Sequence, residues 1–267
     1  MATCVSDIYN ALLDWAPLEY ALEFDNPGHL VGDLNSQVDK VLIALDATSE
    51  VIDEAEKIGA QLIITHHPLI FDKLSRVVAH DLIGGRVYRL IKSGISLICM
   101  HTNLDSAAGG VNDILAHKIA LTGCHVLDVS GSDENGEYGI GRVGELDCAM
   151  DEAEFLAHVK KSLGAAGLRY ASGGAGKIKK VAVGGGSCGS YLEKVKRLGC
   201  DAFVTADIKH DGFLNAKELG ICLVDAGHFT TENPICAELE SYVSIKFPGL
   251  EVHASKVHTC AEEFYTE

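Results

Sequence analysis

Two adjacent histidines, His66 and His67, are the residues of this sequence most suited to chemistry. They follow the apolar run 61–65 and precede Pro68 in the stretch ITHHPLIF. If the run is a strand of an α/β sheet, the pair lies at its carboxyl end, where such sheets bind their ligands. Paired imidazoles at that edge indicate metal binding, although two solvated surface histidines would give the same pattern.

Two further apolar runs are followed by histidine and carboxylate residues. His101 and Asp105 come directly after the run ISLICM. The stretch DAGHFTTE, at the end of another run, contains His228 and Glu232. A spacing of four residues places His228 and Glu232 on one face of a helix, from which both can bind a cation. The alternative is an ordinary helix start with an acidic residue in its first turn.

Short β-branched runs alternate with amphipathic segments along the chain, and this alternation is typical of α/β proteins with mostly parallel strands. The runs predicted as strands are 41–45, 61–65, 95–100, 181–183, 202–206 and 221–226. The segments predicted as helices are 51–59, 81–94, 191–199 and 213–220. Each of the three histidine-bearing stretches therefore follows a predicted strand.

The two halves of the chain match each other, which indicates a duplicated unit. Residues 40–65 align with residues 180–205 without a gap, at a constant offset of 140 residues. We predict two related α/β lobes, residues 1–125 and 126–267, with a site in the cleft between them. The turn-forming stretch 131–136 is the favoured connection between the lobes. The alternative is that unrelated α/β units resemble one another.

Facing lobes would bring five candidate ligands into one cleft: His66, His67, Asp105, His228 and Glu232. Five donors exceed the needs of one tetrahedral ion and suit two divalent metal ions bridged by a carboxylate. Mixed nitrogen and oxygen ligation is compatible with Fe, Mn, Zn, Co or Ni. Such a pair of ions activates water for hydrolysis. The sequence therefore predicts a dinuclear metal centre.

Charge and cysteine content exclude several classes of partner. The 267 residues carry a net charge of −16, which argues against nucleic acid or an anionic membrane as a partner. The nine cysteines are scattered and include no C-x-x-C pair, so we predict free thiols in the cytoplasm. Apolar runs long enough to cross a membrane are absent from the sequence, and the N-terminal stretch lacks the basic start of a secretion signal.

Several other residues have open interpretations. The stretch 184–189 fits G-x-G-x-x-G, and could cradle a phosphate, bind a dinucleotide or form only a tight turn. Asp207 and His210 are candidates for general acid or base chemistry, or are solvated polar residues. Asp46 is a candidate partner of a metal ligand, or a helix cap. Histidines without motif context are predicted at the surface: His80, His117, His125, His158, His253 and His258.

Together these motifs resemble the dinuclear-metal family named for NGG-interacting factor three, whose members are also called GTP cyclohydrolase 1 type 2 homologs. The matching stretches are FDNPGHLVGD (24–33), ALDATSEVIDEA (44–55), LIITHHPLIF (62–71), HTNLDSAAGGVND (101–113), GRVGEL (141–146), TAD (205–207) with His210, and VDAGHFTTE (224–232). Their order and spacing extend over nearly the whole chain. The chain resembles the short form, without the extra domain that longer relatives carry between the halves.

The resemblance implies metal ligands at the same five residues and a toroidal homohexamer with its sites facing a central cavity. It also implies a metal-dependent hydrolase of a small nucleotide-like or phosphorylated substrate, GTP being the one in the family name, with Asp207 or His210 handling protons. The alternative is a non-enzymatic protein that buffers or delivers metal or binds a regulatory partner. His29 and Ala206 depart from the family pattern, where an apolar residue and a glycine are usual.

Overall fold

In its computed structural model, which describes residues 2–174 and 176–265, the chain alternates strands and helices. The strands are β1 (Gly28–Val31), β2 (Lys40–Ala44), β3 (Leu62–Thr65), β4 (Ser96–Cys99), β5 (Thr122–Asp133), β6 (Gly136–Met150), β7 (Arg169–Ala171), β8 (Ile178–Val183), β9 (Ala202–Thr205), β10 (Cys222–Asp225) and β11 (Glu251–Ala254). The α-helices are α1 (Val5–Trp15), α2 (Ser49–Ile58), α3 (Leu82–Ser93), α4 (Thr102–Ser106), α5 (Val111–Lys118), α6 (Glu152–Leu163), α7 (Leu192–Arg197), α8 (His210–Leu219), α9 (His228–Glu232) and α10 (Ile235–Lys246). Each of the six predicted strands and four predicted helices overlaps one of these elements.

The described chain divides into two compact units. Unit 1 consists of the chain up to Leu104 together with Ile235–Thr259, and unit 2 consists of Asp105–Pro234 together with the chain from Cys260 onward. The predicted lobes divide the chain once, after residue 125, whereas unit 1 also takes in α10 and β11. Strand β11 belongs there because it pairs in parallel with β2.

Unit 1 contains a five-stranded sheet in the order β1-β4-β3-β2-β11. Its pairings are parallel except that of β1 with β4. Helices α2 and α3 end at Gly59 and Gly94, the last residues of the predicted segments 51–59 and 81–94, where the backbone is left-handed with φ of 70° and 67°. The strands β2, β3 and β4 are almost wholly buried, which explains their uninterrupted apolar sequence.

Unit 2 contains a six-stranded sheet in the order β5-β6-β8-β9-β10-β7. The pairings β8-β9 and β9-β10 are parallel, and the others are antiparallel. Strands β5 and β6 form a long hairpin whose register ends at the pair Asp133 and Gly136. The stretch 131–136, favoured in the sequence as a connection between lobes, therefore forms the tip of this hairpin, inside unit 2.

The two sheets repeat one strand order. In unit 1 the neighbours β1, β4, β3 and β2 run from one edge inward, and in unit 2 the neighbours β7, β10, β9 and β8 do the same. In both sheets the first of these strands pairs antiparallel and the next three pair in parallel. The shared order and chain direction support a duplication.

In the part of the chain that the structure describes, no helix is both long and apolar enough to cross a lipid bilayer.

Candidate metal centre

Three histidines of unit 1 lie together beyond the carboxyl ends of β3 and β4. Candidate ligand atoms of His66, His67 and His101 all lie within 4.8 Å of one another. The three ring centroids are separated by 5.0, 5.2 and 5.6 Å. We call these three residues the imidazole cluster. The predicted set of five ligands does not include His101, although the sequence places it directly after a strand.

The rings of His66 and His67 are each held through Nδ1. The Nδ1–H of His66, a fully buried residue, donates to the carbonyl oxygen of Met100 at 2.7 Å. The Nδ1–H of His67 donates to Oδ1 of Asp46 at 2.8 Å. An imidazole that carries its proton on Nδ1 presents an unprotonated Nε2, which is the form that binds metal. Both rings are therefore held with Nε2 as the nitrogen that can bind a metal ion.

Asp46 is a partner of His67 and not a helix cap. Helix α2 is capped by Thr48, whose hydroxyl accepts the N–H of Val51 at 3.2 Å. Burial opposes ionisation of Asp46, but hydrogen bonds from His258 and His67 outweigh it and hold the pKa of this carboxyl well below its usual range. Nε2 of His258 lies 3.1 Å from Oδ2 of Asp46, and its side chain is only 7% exposed, so the prediction of a surface position for His258 is wrong.

His101 is held by Asp25, which comes from the loop before β1. The Nδ1–H of His101 donates to Oδ1 of Asp25 at 2.7 Å, and the backbone N–H of Thr102 donates to Oδ2 at 3.0 Å. Burial opposes ionisation, but the hydrogen bonds from His101 and Thr102 outweigh it and lower the pKa of Asp25 to about 2. All three rings of the imidazole cluster thus have an acceptor on Nδ1.

In unit 2, His228 and Glu232 form the predicted pair at a spacing of four residues. They are the first and last residues of α9, and Nε2 of His228 lies 2.9 Å from Oε2 of Glu232. The Glu232 side chain is only 5% exposed. On the other side of the ring, Nδ1 of His228 lies 2.7 Å from Oδ2 of Asp207. We call His228 and Glu232 the α9 pair.

Of the two predicted acid–base candidates, Asp207 lies beside the α9 pair and His210 lies at the start of helix α8. Asp207 follows β9 and has a φ of 55°, uncommon for a residue other than glycine, and its carboxylate contacts the α9 pair. His210 is an exposed residue at the start of α8. The nearby Asp225 is structural, because its carboxylate accepts hydrogen bonds from Arg169 and from the backbone N–H of Ile208.

Asp105, the fifth predicted ligand, is a buried residue of unit 2. Its backbone carbonyl accepts the Nδ2–H of Asn112 at 2.9 Å. Burial, followed by the negative charges of Asp105 and Glu232, raises the pKa of the Cys188 thiol well above its usual range. Cys188 therefore stays protonated. The nearby atoms that can bind a metal ion are the carboxylate oxygens of Asp105 and Glu232.

The glycine-rich loop 184–189 is not arranged as a phosphate cradle, because its backbone donors are used inside unit 2. The N–H groups of Gly184, Gly185, Gly186 and Cys188 donate, respectively, to the Val204 carbonyl, Asn112 Oδ1, Thr231 Oγ1 and Thr205 Oγ1. A phosphate would need several of these groups free. Of the three interpretations of this motif, the tight turn fits the structure.

The glycines of this loop instead leave room for the α9 pair. Gly186 has a φ of 59°, and a Cβ placed on it would lie 3.0 Å from Nε2 of His228 and closer still to Oε1 of Glu232. A Cβ on Gly185 would lie 3.2 Å from Cγ of Glu232. The loop therefore allows backbone to approach the buried carboxylate closely.

Histidine and glutamate groups placed in this way can hold a metal ion, and the fold that carries them is a pair of α/β units with one strand order. The chain belongs to the family Duf34/NIF3 (NGG1p interacting factor 3), whose model matches residues 3–261. Its resemblance to that family, seen first in the motifs, is thereby confirmed.

Individual relatives agree with this assignment. The chain is 40% identical over 239 residues to a Clostridium perfringens protein named GTP cyclohydrolase 1 type 2 homolog, with 90% of each chain covered. A protein of the same name from Clostridium acetobutylicum is 36% identical over 88% of this chain and 87% of its own. The crystal structure of a Bacillus cereus protein related to NIF3 superimposes with a TM-score of 0.93, at 26% identity and 99% coverage of both chains.

Proposed function

We propose that this protein is a dinuclear, divalent-metal-dependent hydrolase of a small nucleotide-like or phosphorylated substrate. The observation that carries the proposal is the imidazole cluster, in which three rings crowd together with every Nδ1 held by an acceptor. With each Nδ1 held by an acceptor, Nε2 is the nitrogen that each ring can offer to a cation, and the candidate ligand atoms of the three residues lie within 4.8 Å of one another. The donor set of nitrogen and oxygen suits Fe, Mn, Zn, Co or Ni.

The proposed ligands are His66, His67, Asp105, His228 and Glu232, with His101 as a further nitrogen donor from the imidazole cluster. When bound, the ions would supply Lewis acidity and a lowered pKa for a bound water. The acceptors on Nδ1 keep the rings in the ligating tautomer, and the α9 pair adds a buried negative charge that offsets repulsion between cations.

Asp207 and His210 remain the proposed residues for proton transfer. The hydrogen bond between Asp207 and Nδ1 of His228 favours a positioning role for Asp207. His210, exposed at the start of α8, is then the better candidate for donating a proton to a leaving group. The substrate class rests on the names of the relatives, which refer to GTP.

Metal content is the first test. Protein purified without chelator should contain about two first-row metal ions per chain, as expected for a dinuclear site. Elemental analysis measures this directly. Less than about half an equivalent, with no uptake on reconstitution, would contradict a dinuclear centre.

Activity is the second test. Metal-loaded protein should hydrolyse at least one member of a panel of phosphoesters, nucleotides including GTP, and cyclic amides. The variant His67→Ala should abolish this turnover, whereas His80→Ala, at an exposed histidine outside the cluster, should leave it unchanged. Two bound metals without any turnover would favour instead a protein that buffers or delivers metal or binds a regulatory partner.

The family resemblance also leads us to propose a ring-shaped homohexamer in the cytoplasm. Light scattering should give about six times the mass of one chain at micromolar concentration. A stable monomer over that range would contradict the hexamer without affecting the metal assignment.

A further inference from the structure

Two phenylalanines lie exposed beside the imidazole cluster of unit 1. Phe24 and Phe71 are 66% and 49% exposed. Their ring centroids are 6.3 Å apart with an interplanar angle of 60°, an edge-to-face arrangement. Large aromatic side chains are normally buried, so an adjacent exposed pair indicates a binding role. We call Phe24 and Phe71 the aromatic corner.

The aromatic corner is held by contacts to His101 and to the segment that carries Asp25. The Phe71 ring lies 6.4 Å from the His101 ring at an angle of 88°. Phe24 directly precedes Asp25, whose buried carboxylate holds His101. The Nδ2–H of Asn26 donates to the carbonyl oxygen of Ile70 at 2.6 Å, which ties the two phenylalanine-bearing segments together. The corner is therefore a preorganised part of the metal-binding region.

We propose that the aromatic corner binds a planar heteroaromatic ring of the substrate. This inference rests on the proposed function, because it names the part of the substrate that lies beside the metal ligands. Two rings near a right angle offer one face for stacking and one edge for a T-shaped contact. Stacking of this kind accepts many heteroaromatic bases, since each has a π-face. The two side chains carry no charge, so they suit the ring and not a phosphate chain.

The alternative occupant is a second copy of the chain. A stable interface buries roughly 800 Å² on each partner. Two phenylalanine side chains supply a small part of that area, whereas they match the size of one flat ring. Contact of Phe71 with His101 also places any bound ring against a candidate ligand, which a contact between copies does not require.

The test compares binding of guanosine and cytidine with binding of ribose and ribose 5-phosphate to the full chain. Saturation-transfer NMR and calorimetry should show binding of both nucleosides, with the strongest transfer to base protons, and much weaker binding of the ring-free sugars. Phe24→Ala and Phe71→Ala should each weaken nucleoside binding about tenfold, the effect of losing one stacking partner. Phe71→Tyr should bind nucleosides to within about threefold of the unchanged chain, because the π-face is retained.

The matched control is Phe264→Ala, at a phenylalanine of unit 2 that is 51% exposed, which should bind as the unchanged chain does. Equal binding of sugars and nucleosides, no binding of nucleosides, or insensitivity to both alanine variants would overturn the inference. A change of oligomeric mass in Phe24→Ala, with nucleoside binding intact, would assign the corner to an interface. Metal content, measured on the same samples, separates the two proposals. Nucleoside binding without bound metal would contradict only the proposed hydrolase function. Bound metal without nucleoside binding would contradict only the proposed role of the aromatic corner.

Discussion

The imidazole cluster of unit 1 and the α9 pair of unit 2 hold their histidines by different means. In the cluster, each ring is fixed on one nitrogen by a carbonyl oxygen or a carboxylate that lies outside the cluster. In unit 2 a single ring, His228, lies between two carboxylates, Asp207 on one nitrogen and Glu232 on the other. The cluster therefore offers imidazole nitrogens, and the α9 pair adds a buried carboxylate.

This difference shows how a duplicated strand end can change its role. Strands β3 and β9 align in the duplication, so His67 and Asp207 occupy corresponding positions, two residues after each strand. In unit 1 that position is a candidate ligand, held by Asp46. In unit 2 it is Asp207, whose carboxylate holds His228, a candidate ligand from another strand end. At the position corresponding to Asp46, unit 2 has Gly186, which leaves room for the α9 pair.

The largest effect is expected from Glu232→Gln. The amide keeps the shape of the side chain and loses the buried charge, so at least one of about two metal ions should be lost. Asp207→Asn should keep both ions and weaken binding about tenfold, because Asp207 orients His228 and is not one of the proposed ligands. Elemental analysis measures both variants, with folding checked by circular dichroism. If Glu232→Gln keeps two ions while Asp207→Asn loses one, the assignment of roles in unit 2 is reversed.

The second-largest effect is expected from Gly186→Ala, because the added methyl group fills the space beside the α9 pair. The left-handed backbone costs about 1–2 kcal/mol with a Cβ, and crowding against His228 and Glu232 costs about 1–3 kcal/mol more. Metal binding should weaken in parallel. The matched control is Gly199→Ala, because Gly199 has a φ of 70° and open space around it.

Denaturant unfolding should show only the backbone cost for Gly199→Ala, with metal content unchanged. Equal losses of unfolding free energy in the two variants would mean that Gly186 is needed only for the left-handed backbone of the turn and not for the space beside the α9 pair.

The two regions also differ in how far the sequence predicts them. The α9 pair is a local pattern, since a helical spacing of four residues brings its members together, and the structure confirms that contact. The strands β2, β3 and β4 are likewise predicted because they are buried on both faces and therefore continuous in apolar residues.

Among the partners of the imidazole cluster, Asp46 is a candidate from the sequence, whereas Asp25 is not predicted, because the chain brings it from a distant position. Asp25 is separated from His101 by 76 residues, and neither residue type identifies its partner. The hairpin of β5 and β6 is missed for another reason. Strand β5 is mostly exposed and rich in polar residues and glycine, so its sequence has the composition of a linker.

A smaller effect is expected from Asp46→Asn in unit 1. The neutral amide accepts the His67 Nδ1–H more weakly, so metal affinity should fall about 10- to 100-fold while the fold is retained. Competition with a chelator of known affinity measures this change. The control is Asp53→Asn, which alters an exposed carboxylate paired with Arg89 and should leave affinity unchanged. An unchanged affinity in Asp46→Asn would mean that His67 is oriented by its packing alone.

The smallest effect is expected from His258→Gln, because His258 contacts Asp46 and lies one contact further from the proposed ligand His67. His258 contacts Asp46, which in turn holds His67, so metal affinity should fall by at most about tenfold, the lower limit for partners that touch a ligand directly. In the background of Asp46→Asn the same substitution should have no further effect, since the connecting carboxylate is gone. His253→Gln is the matched control, because His253 is 45% exposed and contacts only Glu251 among the ion pairs of the described chain. Chelator competition on the two single variants and the double variant tests the coupling. Additive losses in the double variant would show that His258 acts on the metal region by a route that does not pass through Asp46.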